Sequence, residues 1–517
     1  MMAEGPRKDG LSLLEEHSRT AMRAMPHLIV RRHEGGVTVK GDRTATLGTP
    51  IPSPQGDQGI WVRWVWDRNR LELRQDRHGF HPFYYFTSPD GWGIGPSIHR
   101  LIEEGAPPEL DDAAIAVYLR VGLFLGNDTP FRAIRALPPG GWLVAEGAEL
   151  SVGADRSPAI VRPVNGQSFE ATVEQYGEMF QSAVERLVPF LGDRNILPLS
   201  GGHDSRHILL ALCRAGHPPR ACASVDLGPP QSWEDTVIAR QVAERVGVPF
   251  EYVGPPRSLL QVEIEKNVRT SLTAEVHSWI TPLRHVLERE GATARVDGIA
   301  GDMLSEFSGR NQAKSELMEA GRYDELVELA LGSEGYLPRM LSEEYRRRWS
   351  REVAAARFLE EVKLHAGATN PWVSFRFQSR TRREIGSVWT LLSGPWNALA
   401  PYLDYQLVDF LAGLPGQRYR GTKLHAVTIA KFFPDFADIP FATKQWGIVS
   451  DRAHWAREAA RLLPLLANGR RNGALDRDFL LRRLPLALGG PVHQRALSLL
   501  YNRAVYLLQL ERLAGLA

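Results

Sequence analysis

The chain has 517 residues, more than the roughly 250–300 residues at which one hydrophobic core stops growing, so we expect at least two domains. Its 62 basic and 60 acidic residues nearly cancel, which argues against a general nucleic-acid binder. No stretch reaches the roughly 18 consecutive apolar residues of a membrane span, and the first residues lack the apolar core of a signal peptide, so we expect a cytoplasmic protein without membrane contact. Cys213 and Cys222 lie in apolar surroundings and are expected to be reduced core residues.

The first part of the chain has the pattern of a β domain. Residues 27–152 contain short apolar segments, often alternating, such as "GIWVRWVWD" and "HPFYYFTS", broken by Gly, Pro and Asp. This pattern predicts antiparallel strands with one helix near "DDAAIAVYLRVG". Residues 153–168 are loop-like and form the best candidate linker. We therefore predict a first domain over residues 1–155.

After the linker, strands and helices alternate. The helical pattern "FEATVEQYGEMFQSAVERLVPFL" leads to the strand "NILPLS", and further strands follow in "RACASVDLG", "PFEYVG" and "ARVDGIAGD". This order predicts an α/β domain with a parallel sheet over residues 170–450. Residues 451–517 are rich in arginine and leucine, and we predict a helical extension there. A docking surface for a peptide or protein partner is the alternative for that region.

A glycine turn follows the first parallel strand, in "LSGGHDSR". Such a turn leaves backbone N–H groups at the start of a helix, where the helix dipole favours an anion. Gly201 and Gly202 allow close approach of the backbone, and the Ser200 and Ser205 hydroxyls can donate further hydrogen bonds. Asp204 would repel a bare phosphate, so its presence indicates a divalent cation beside it. The turn predicts a site for magnesium pyrophosphate, with a plain connecting turn as the alternative.

A second glycine turn lies in "VDGIAGDMLSEF". It ends a candidate strand and contains Asp302, which can supply a second carboxylate to the same cation. Magnesium is the expected ion because its few protein ligands leave room for phosphate oxygens. The alternative is a β-turn with a solvated aspartate.

Together these motifs resemble those of the asparagine synthetase family, which includes β-lactam synthetase, carbapenam synthetase and lasso-peptide cyclases. The resemblance covers about residues 60–450 and also rests on "APYLDYQLVDFLAGLP" and on the lysine of "FATKQWG". It implies an ATP pyrophosphatase fold and the cofactors ATP and Mg²⁺. The implied roles are Mg²⁺ binding by Asp204 and Asp302, an adenosine site lined by Leu197, Val225 and Gly298, a pyrophosphate loop from Ser200 through Gly201, Gly202 and Asp204 to Ser205, and a catalytic charge-neutralising Lys444.

The N-terminal half resembles the family's glutaminase domain, which has an N-terminal-nucleophile fold. "RQDRHGFHPFYYF" and "TPFRAIRALPPGGWLV" carry this likeness. Glutamine hydrolysis there needs an N-terminal cysteine, whereas the first cysteine of this chain is Cys213. The segment ahead of "RQDRHGF" is also short for a complete glutaminase. We therefore expect a degenerate, truncated glutaminase-like domain that does not hydrolyse glutamine.

Two positions that assist the amine in the family are changed here. Ile299 and Asn397 cannot accept a proton from an attacking ammonium group. Glu384 and Glu306 are the nearest carboxylates in the sequence, although each is more typical of an ion-pair partner. His277, predicted on a helix, can line the acceptor pocket or be an ordinary core or surface residue.

Three arginines, Arg380, Arg382 and Arg383, can bind a substrate carboxylate or ATP phosphates, with a solvated helical face as the alternative. These observations favour an ATP-dependent, AMP-forming amide ligase whose small-molecule or peptide substrate supplies both carboxylate and amine, as in β-lactam synthetases and lasso cyclases. A precursor peptide or partner protein is then a possible partner. The first alternative is amidation of a small acid or sugar acid with free or partner-supplied ammonia. The second is an inactive nucleotide-binding scaffold.

Overall fold

The computed structural model describes residues 10–516 except 55, 164–165, 227–230, 307–310, 444–450 and 468–472. Over these residues the chain is a mixed α/β protein with a β-rich N-terminal part and a later parallel sheet surrounded by helices. None of the helices formed by the described residues has the length and apolar character needed to cross a bilayer.

The N-terminal part contains two five-stranded antiparallel sheets, with strand orders β2-β1-β7-β6-β8 and β10-β9-β5-β4-β3. Large apolar side chains, among them Trp64, Phe83 and Trp92, fill the space between the sheets because alternate residues of each strand point inward. The predicted antiparallel β-structure is confirmed. The strands are β1 Leu28–His33, β2 Gly36–Gly41, β3 Thr44–Ile51, β4 Gln58–Asp67, β5 Arg70–Gln75, β6 Tyr84–Ser88, β7 Gly91–Gly95, β8 Ile134–Ala136, β9 Gly141–Glu146 and β10 Glu149–Ala154.

The later sheet has five strands in the order β13-β12-β11-β14-β15, and all of its pairings are parallel. Chain order runs from the centre outward to one edge and then returns to the other side of β11. The predicted parallel α/β sheet is therefore confirmed. The strands are β11 Asn195–Pro198, β12 Ala221–Val225, β13 Phe250–Val253, β14 Ala294–Val296 and β15 Asn397–Leu399.

Helices cover the parallel sheet and continue to the end of the described chain. A continuous helical segment changes at Phe377–Glu384 into a π-helix, a form often found near functional sites. The α-helices are α1 Gly10–Arg23, α2 Ile98–Glu103, α3 Asp112–Val121, α4 Phe169–Leu187, α5 His203–Arg214, α6 Gln231–Val246, α7 Leu259–Arg269, α8 Thr281–Arg289, α9 Gly301–Ser305, α10 Gln312–Glu319, α11 Tyr323–Leu331, α12 Leu337–Met340, α13 Glu343–Arg348, α14 Arg351–Leu364, α15 Pro371–Arg376, α16 Val388–Leu391, α17 Tyr405–Ala412, α18 Gly416–Tyr419, α19 Leu424–Phe432, α20 Arg452–Ala467, α21 Arg477–Leu481 and α22 Pro491–Leu513.

The C-terminal helices pack against the rest of the molecule through buried polar contacts. Glu458 of α20 accepts a hydrogen bond from the backbone N–H of Leu260 at 3.1 Å. Gln509 of α22 bonds to Asn267 at 2.8 Å and to Glu15 of α1 at 2.8 Å. These contacts join the C-terminal region to α7 and to the N-terminal helix.

Two buried arginines join the β-rich part to the parallel-sheet part. Arg382 donates to the carbonyl oxygens of Gly126 at 2.8 Å and Leu137 at 3.3 Å. Arg383 donates to the carbonyl oxygens of Gly126 and Asp128. The prediction that they bind a substrate carboxylate or ATP is therefore wrong, because their guanidinium groups are occupied by backbone carbonyls. Arg380 pairs with Glu384, with 3.1 Å between Nε and Oε2.

Candidate functional site

The two glycine turns lie at the carboxyl ends of β11 and β14, which are neighbours in the parallel sheet. The strand that follows β11 in sequence, β12, lies on its other side. Connections therefore leave β11 and β14 in opposite directions, which opens a crevice between their carboxyl ends. Open parallel sheets bind ligands at such switch points.

The first turn is shaped by hydrogen bonds of its own serines. The Ser205 hydroxyl accepts from the backbone N–H of Ser200 at 2.9 Å and lies 3.1 Å from the Ser200 hydroxyl. Gly202 donates its N–H to Ser200 Oγ at 3.2 Å. Helix α5 then begins at His203 without a side-chain cap, so its first N–H groups are directed toward the crevice.

The first turn is also supported from outside. Asp235 of α6 accepts the backbone N–H of Gly201 at 3.0 Å. The N–H of Ala442 donates to the Gly201 carbonyl at 2.9 Å, and a Cβ on Gly201 would lie 2.8 Å from that of Ala442. Glycine is thus needed at 201 because another segment passes directly over it. That segment continues in sequence toward Lys444, which lies outside the described residues, so its predicted role stays a prediction.

The second turn contacts the first through Asp204. A Cβ on Gly298 would lie 2.7 Å from Asp204 Cβ, and a Cβ on Gly301 would lie 2.5 Å from Asp204 Oδ1. Both glycines are therefore needed for the turns to approach each other. Asp302 is exposed in the first turn of α9, one residue after Gly301. The tertiary structure thus brings the Asp204 side chain against the turn that contains Asp302.

The donor set in the crevice suits a magnesium ion with phosphate oxygens. Asp204 and Asp302 offer hard carboxylate oxygens, and Ser200 and Ser205 offer hydroxyls. Within the described residues, no group of three or more His, Cys, Asp or Glu side chains forms a metal site by itself. A cation held by two carboxylates would draw its other ligands from phosphate and water, which is the usual arrangement for Mg²⁺.

A buried polar network lies beneath Asp204. His425 of α19 places its Nδ1 3.3 Å from Asp204 Oδ1 and 3.2 Å from the Ser305 hydroxyl. The Tyr402 hydroxyl lies 2.9 Å from His425 Nε2. Burial, then nearby His207 and His203, lower the pKa of His425 well below its usual 6.5. The ring is therefore neutral, with Nε2 facing the Tyr402 hydroxyl and Nδ1 facing Asp204 and Ser305.

This network and Asp235 were not predicted from the sequence. His425 and Asp204 are far apart in the chain, and neither the helical pattern of α19 nor that of α6 distinguishes these residues from ordinary core or surface positions. The fragment "APYLDYQ" indicated the Tyr402 region through the family resemblance alone.

Of the three residues expected at the adenosine site, Gly298 lies in the second turn, and Leu197 and Val225 occupy different surroundings. Leu197 is fully buried in the interior of β11, and its side chain packs among core residues. Val225 is the last residue of the neighbouring strand β12 and is 9% exposed.

The changed positions have structural roles in this chain. Ile299 is buried among core residues. Asn397 donates to the Phe190 carbonyl at 2.8 Å and accepts from the Thr49 hydroxyl at 3.2 Å. Its amide therefore connects β15 to the N-terminal part and is not available to a substrate amine.

The three other candidates differ in their surroundings. Burial raises the pKa of Glu384 to about 7, against the opposing effect of Arg380. Glu306 is partly exposed, 3.6 Å from His203 Nδ1. The prediction of a helical His277 is wrong, because its backbone is left-handed with φ 81° just before a short 3₁₀ helix. Burial of the ring lowers the pKa of His277 to about 3, so this partly exposed residue is neutral.

Comparison with known proteins gives one family for part of the chain. Residues 55–154 match the model of a glutamine amidotransferase domain. No curated protein matches the sequence. The match covers the second antiparallel sheet except β3, together with β6, β7 and β8. The β-rich part of this protein therefore contains a glutamine amidotransferase domain over residues 55–154, consistent with the N-terminal domain of asparagine synthetase-type enzymes.

Proposed function

We propose that this protein is an ATP-dependent, AMP-forming amide ligase of the asparagine synthetase type, with an ATP pyrophosphatase fold in its parallel-sheet part. The contact of Gly298 and Gly301 with Asp204 carries this proposal. It joins an anion-binding turn and a second aspartate-bearing turn at the switch point of a parallel sheet. The amidotransferase domain over residues 55–154 supports it, because it is consistent with the same family.

In this proposal the crevice holds the triphosphate of ATP. The first N–H groups of α5 and the hydroxyls of Ser200 and Ser205 orient the pyrophosphate portion. Asp204 and Asp302 would hold Mg²⁺, which supplies charge neutralisation to the phosphates when bound. His425 Nδ1 lies 3.3 Å from Asp204 Oδ1, so the ring limits the space in which this carboxylate can turn.

The proposed reaction has two steps. A substrate carboxylate attacks the α-phosphorus of ATP, the bond to the pyrophosphate oxygen breaks, and an acyl adenylate forms. An amine nitrogen then attacks the acyl carbon, loses its proton to a base, and releases AMP. The amine belongs to the substrate in our proposal, because the chain has no cysteine before Cys213 that could release ammonia from glutamine.

Calorimetry with Mg·ATP tests the proposal without a known substrate. The full chain should bind Mg·ATP saturably, and Asp204→Asn should weaken binding at least tenfold. Asp193→Asn is the matched control, because this exposed aspartate precedes the amino end of β11. Absence of saturable Mg·ATP binding, or equal affinity in Asp204→Asn and the control, would contradict the proposal. Formation of AMP and pyrophosphate with mixtures of acids, amines and peptides then identifies the substrate.

A second candidate function is amidation with ammonia, favoured by the amidotransferase match itself. Product formation that depends on added ammonium, and on no other amine, would distinguish it from coupling to a substrate amine. A third candidate is an inactive nucleotide-binding scaffold. It is favoured because Ile299 packs in the core and the Asn397 amide is bonded to the Phe190 carbonyl, so neither side chain can act on an amine. Tight ATP binding without AMP formation over long incubation would identify the scaffold.

A further inference from the structure

A cavity lined by arginines lies between the β-rich part and the parallel-sheet part. We call it the arginine groove, and its volume is about 210 Å³. Its walls come from the segment after β5, the β8–β9 turn, the segment after β10, the π-helix and α17. Its polar lining residues are Arg77, His78, Arg156, Ser157, Arg162 and Gln378.

The groove has more positive than negative charge. Its lining residues include three arginines and no acidic residue. Asp409, just outside, pairs with both Arg77 and Arg162. The three guanidinium groups are thus opposed by one carboxylate, which pairs with two of them, and a surplus of two positive charges remains.

Arg156 has the least compensated charge of the three. It is exposed, and among the described residues it makes no ion pair or hydrogen bond. The neighbouring Asp155 is bonded to Arg74 instead, at 2.7 Å. Burial and the charges of Arg77 and Arg162 lower the pKa of Arg156, with Asp409 opposing them.

The other lining residues of the groove are neutral, and His78, Gln378 and Val408 among them are buried. Burial, followed by the positive charges of Arg77, Arg162 and Arg156, lowers the pKa of His78 well below 6.5. The histidine therefore adds no charge, and its surroundings are electropositive. Gln378 is 7% exposed, and its Oε1 has no hydrogen-bond partner within the described structure. This oxygen can only accept a hydrogen bond, so it would bind a donor group of the ligand beside the oxyanion that the guanidinium groups hold.

A second cavity of about 470 Å³ adjoins the groove and shares Pro139, Arg156 and Gln378 with it. Its own three arginines, Arg135, Arg357 and Arg382, are balanced by three carboxylates. Arg135 pairs with Asp128 and Asp111, each at 3.1 Å, and Arg357 pairs with Asp128 at 2.7 Å and with Glu361 at 2.8 Å. Arg382 donates to backbone carbonyls. The surplus charge is therefore confined to the arginine groove, while the larger cavity offers space for the rest of a ligand.

We propose that the arginine groove binds the dianionic group of a small ligand, either a phosphate or a pair of carboxylates. Guanidinium groups match both kinds of oxyanion with paired hydrogen bonds, and a dianion would balance the surplus charge. The ligand would contact both the amidotransferase domain and the helices of the parallel-sheet part. The site lies apart from the glycine turns, so it does not depend on the proposed ligase function.

Calorimetric titration of the full chain with inorganic phosphate and, separately, with succinate tests this proposal. We expect saturable binding of at least one dianion, weakened by added salt. Arg156→Gln should weaken it about tenfold or more, because one charge-assisted contact is lost. Arg70→Gln is the matched control, since Arg70 is exposed, pairs with Glu72 and does not line the groove, and this variant should bind within about twofold of the unaltered protein.

The two probes distinguish the source of the charge. If only phosphate binds in an Arg156-dependent way, the ligand carries a phosphate. If only succinate does, the ligand is a dicarboxylate. If both do, the groove is a general site for dianions. No saturable binding of either probe, or binding that Arg156→Gln leaves unchanged, would overturn the proposal. Phosphate bound at the glycine turns would be insensitive to Arg156, so failure of the ligase proposal and failure of this one remain separate results.

Discussion

The contact between the two glycine turns makes a specific prediction for Gly301→Ala. The added Cβ would lie 2.5 Å from Asp204 Oδ1, 2.6 Å from its Cγ and 2.9 Å from Tyr402 Cε2. Ordinary contact begins near 3.4 Å, so the carboxyl group would have to retreat by about 0.9 Å. It lies 3.3 Å from His425 Nδ1, beside the buried network, and has little room to move.

A misplacement of about 1 Å at a functional group can lower a reaction rate about a hundredfold, which corresponds to about 2.7 kcal/mol. A carboxylate that holds the metal needs similarly exact placement. We therefore expect Gly301→Ala to weaken Mg·ATP binding by a factor of about ten to a hundred in calorimetry. Overpacking should also lower the free energy of unfolding by about 1–3 kcal/mol, measured by urea denaturation.

Gly254→Ala is the matched control for this substitution. Gly254 follows the carboxyl end of β13 in the same sheet, and a Cβ there would meet nothing within 4 Å. The control should retain Mg·ATP affinity within about twofold. If folded Gly301→Ala binds Mg·ATP as tightly as Gly254→Ala, the glycine turns do not form the nucleotide site.

Three further predictions concern buried polar groups. Replacing His425 with Leu removes one partner of the Tyr402 hydroxyl and one of the Ser305 hydroxyl. It should lower the free energy of unfolding by about 1–3 kcal/mol and weaken Mg·ATP binding, whereas an unchanged affinity would separate the network from the site. Arg383→Ala should destabilise the protein by about 3 kcal/mol, because carbonyls at the joint between the two parts lose their donor, yet leave Mg·ATP affinity near that of the unaltered protein. Stability should also fall on acidification from about pH 6.5 to 5. Folding lowers the pKa of the buried histidines, so in this pH range the unfolded chain binds more protons than the folded one. The free energy of unfolding then falls by up to about 1.4 kcal/mol per histidine and pH unit. Asp76 and Glu384, whose pKa values rise to about 7, offset part of this loss, and urea midpoints at the two pH values measure the net change. The histidines are His78, His81, His99, His207, His277 and His425.

Local patterns in the sequence were sufficient for the main architecture. Alternating apolar residues predict the antiparallel strands of the N-terminal part, and apolar runs followed by helical periods predict β11, β12 and β13. Both predictions depend only on residues close together in the sequence, since the period of a strand or helix repeats within a few positions. The glycine turn before α5 could be recognised for the same reason, because its backbone requirements are local.

Tertiary contacts decided which polar residues belong to the site. His425 reaches His207 across 218 positions of sequence, and Arg383 reaches Gly126 across 257. No local period marks such partners, because a buried hydrogen bond is formed by whichever residues the fold brings together. For that reason the sequence could assign three arginines to ligand binding, whereas the structure gives two of them backbone carbonyls. The surplus charge of the arginine groove likewise arises only where separate segments of the chain meet.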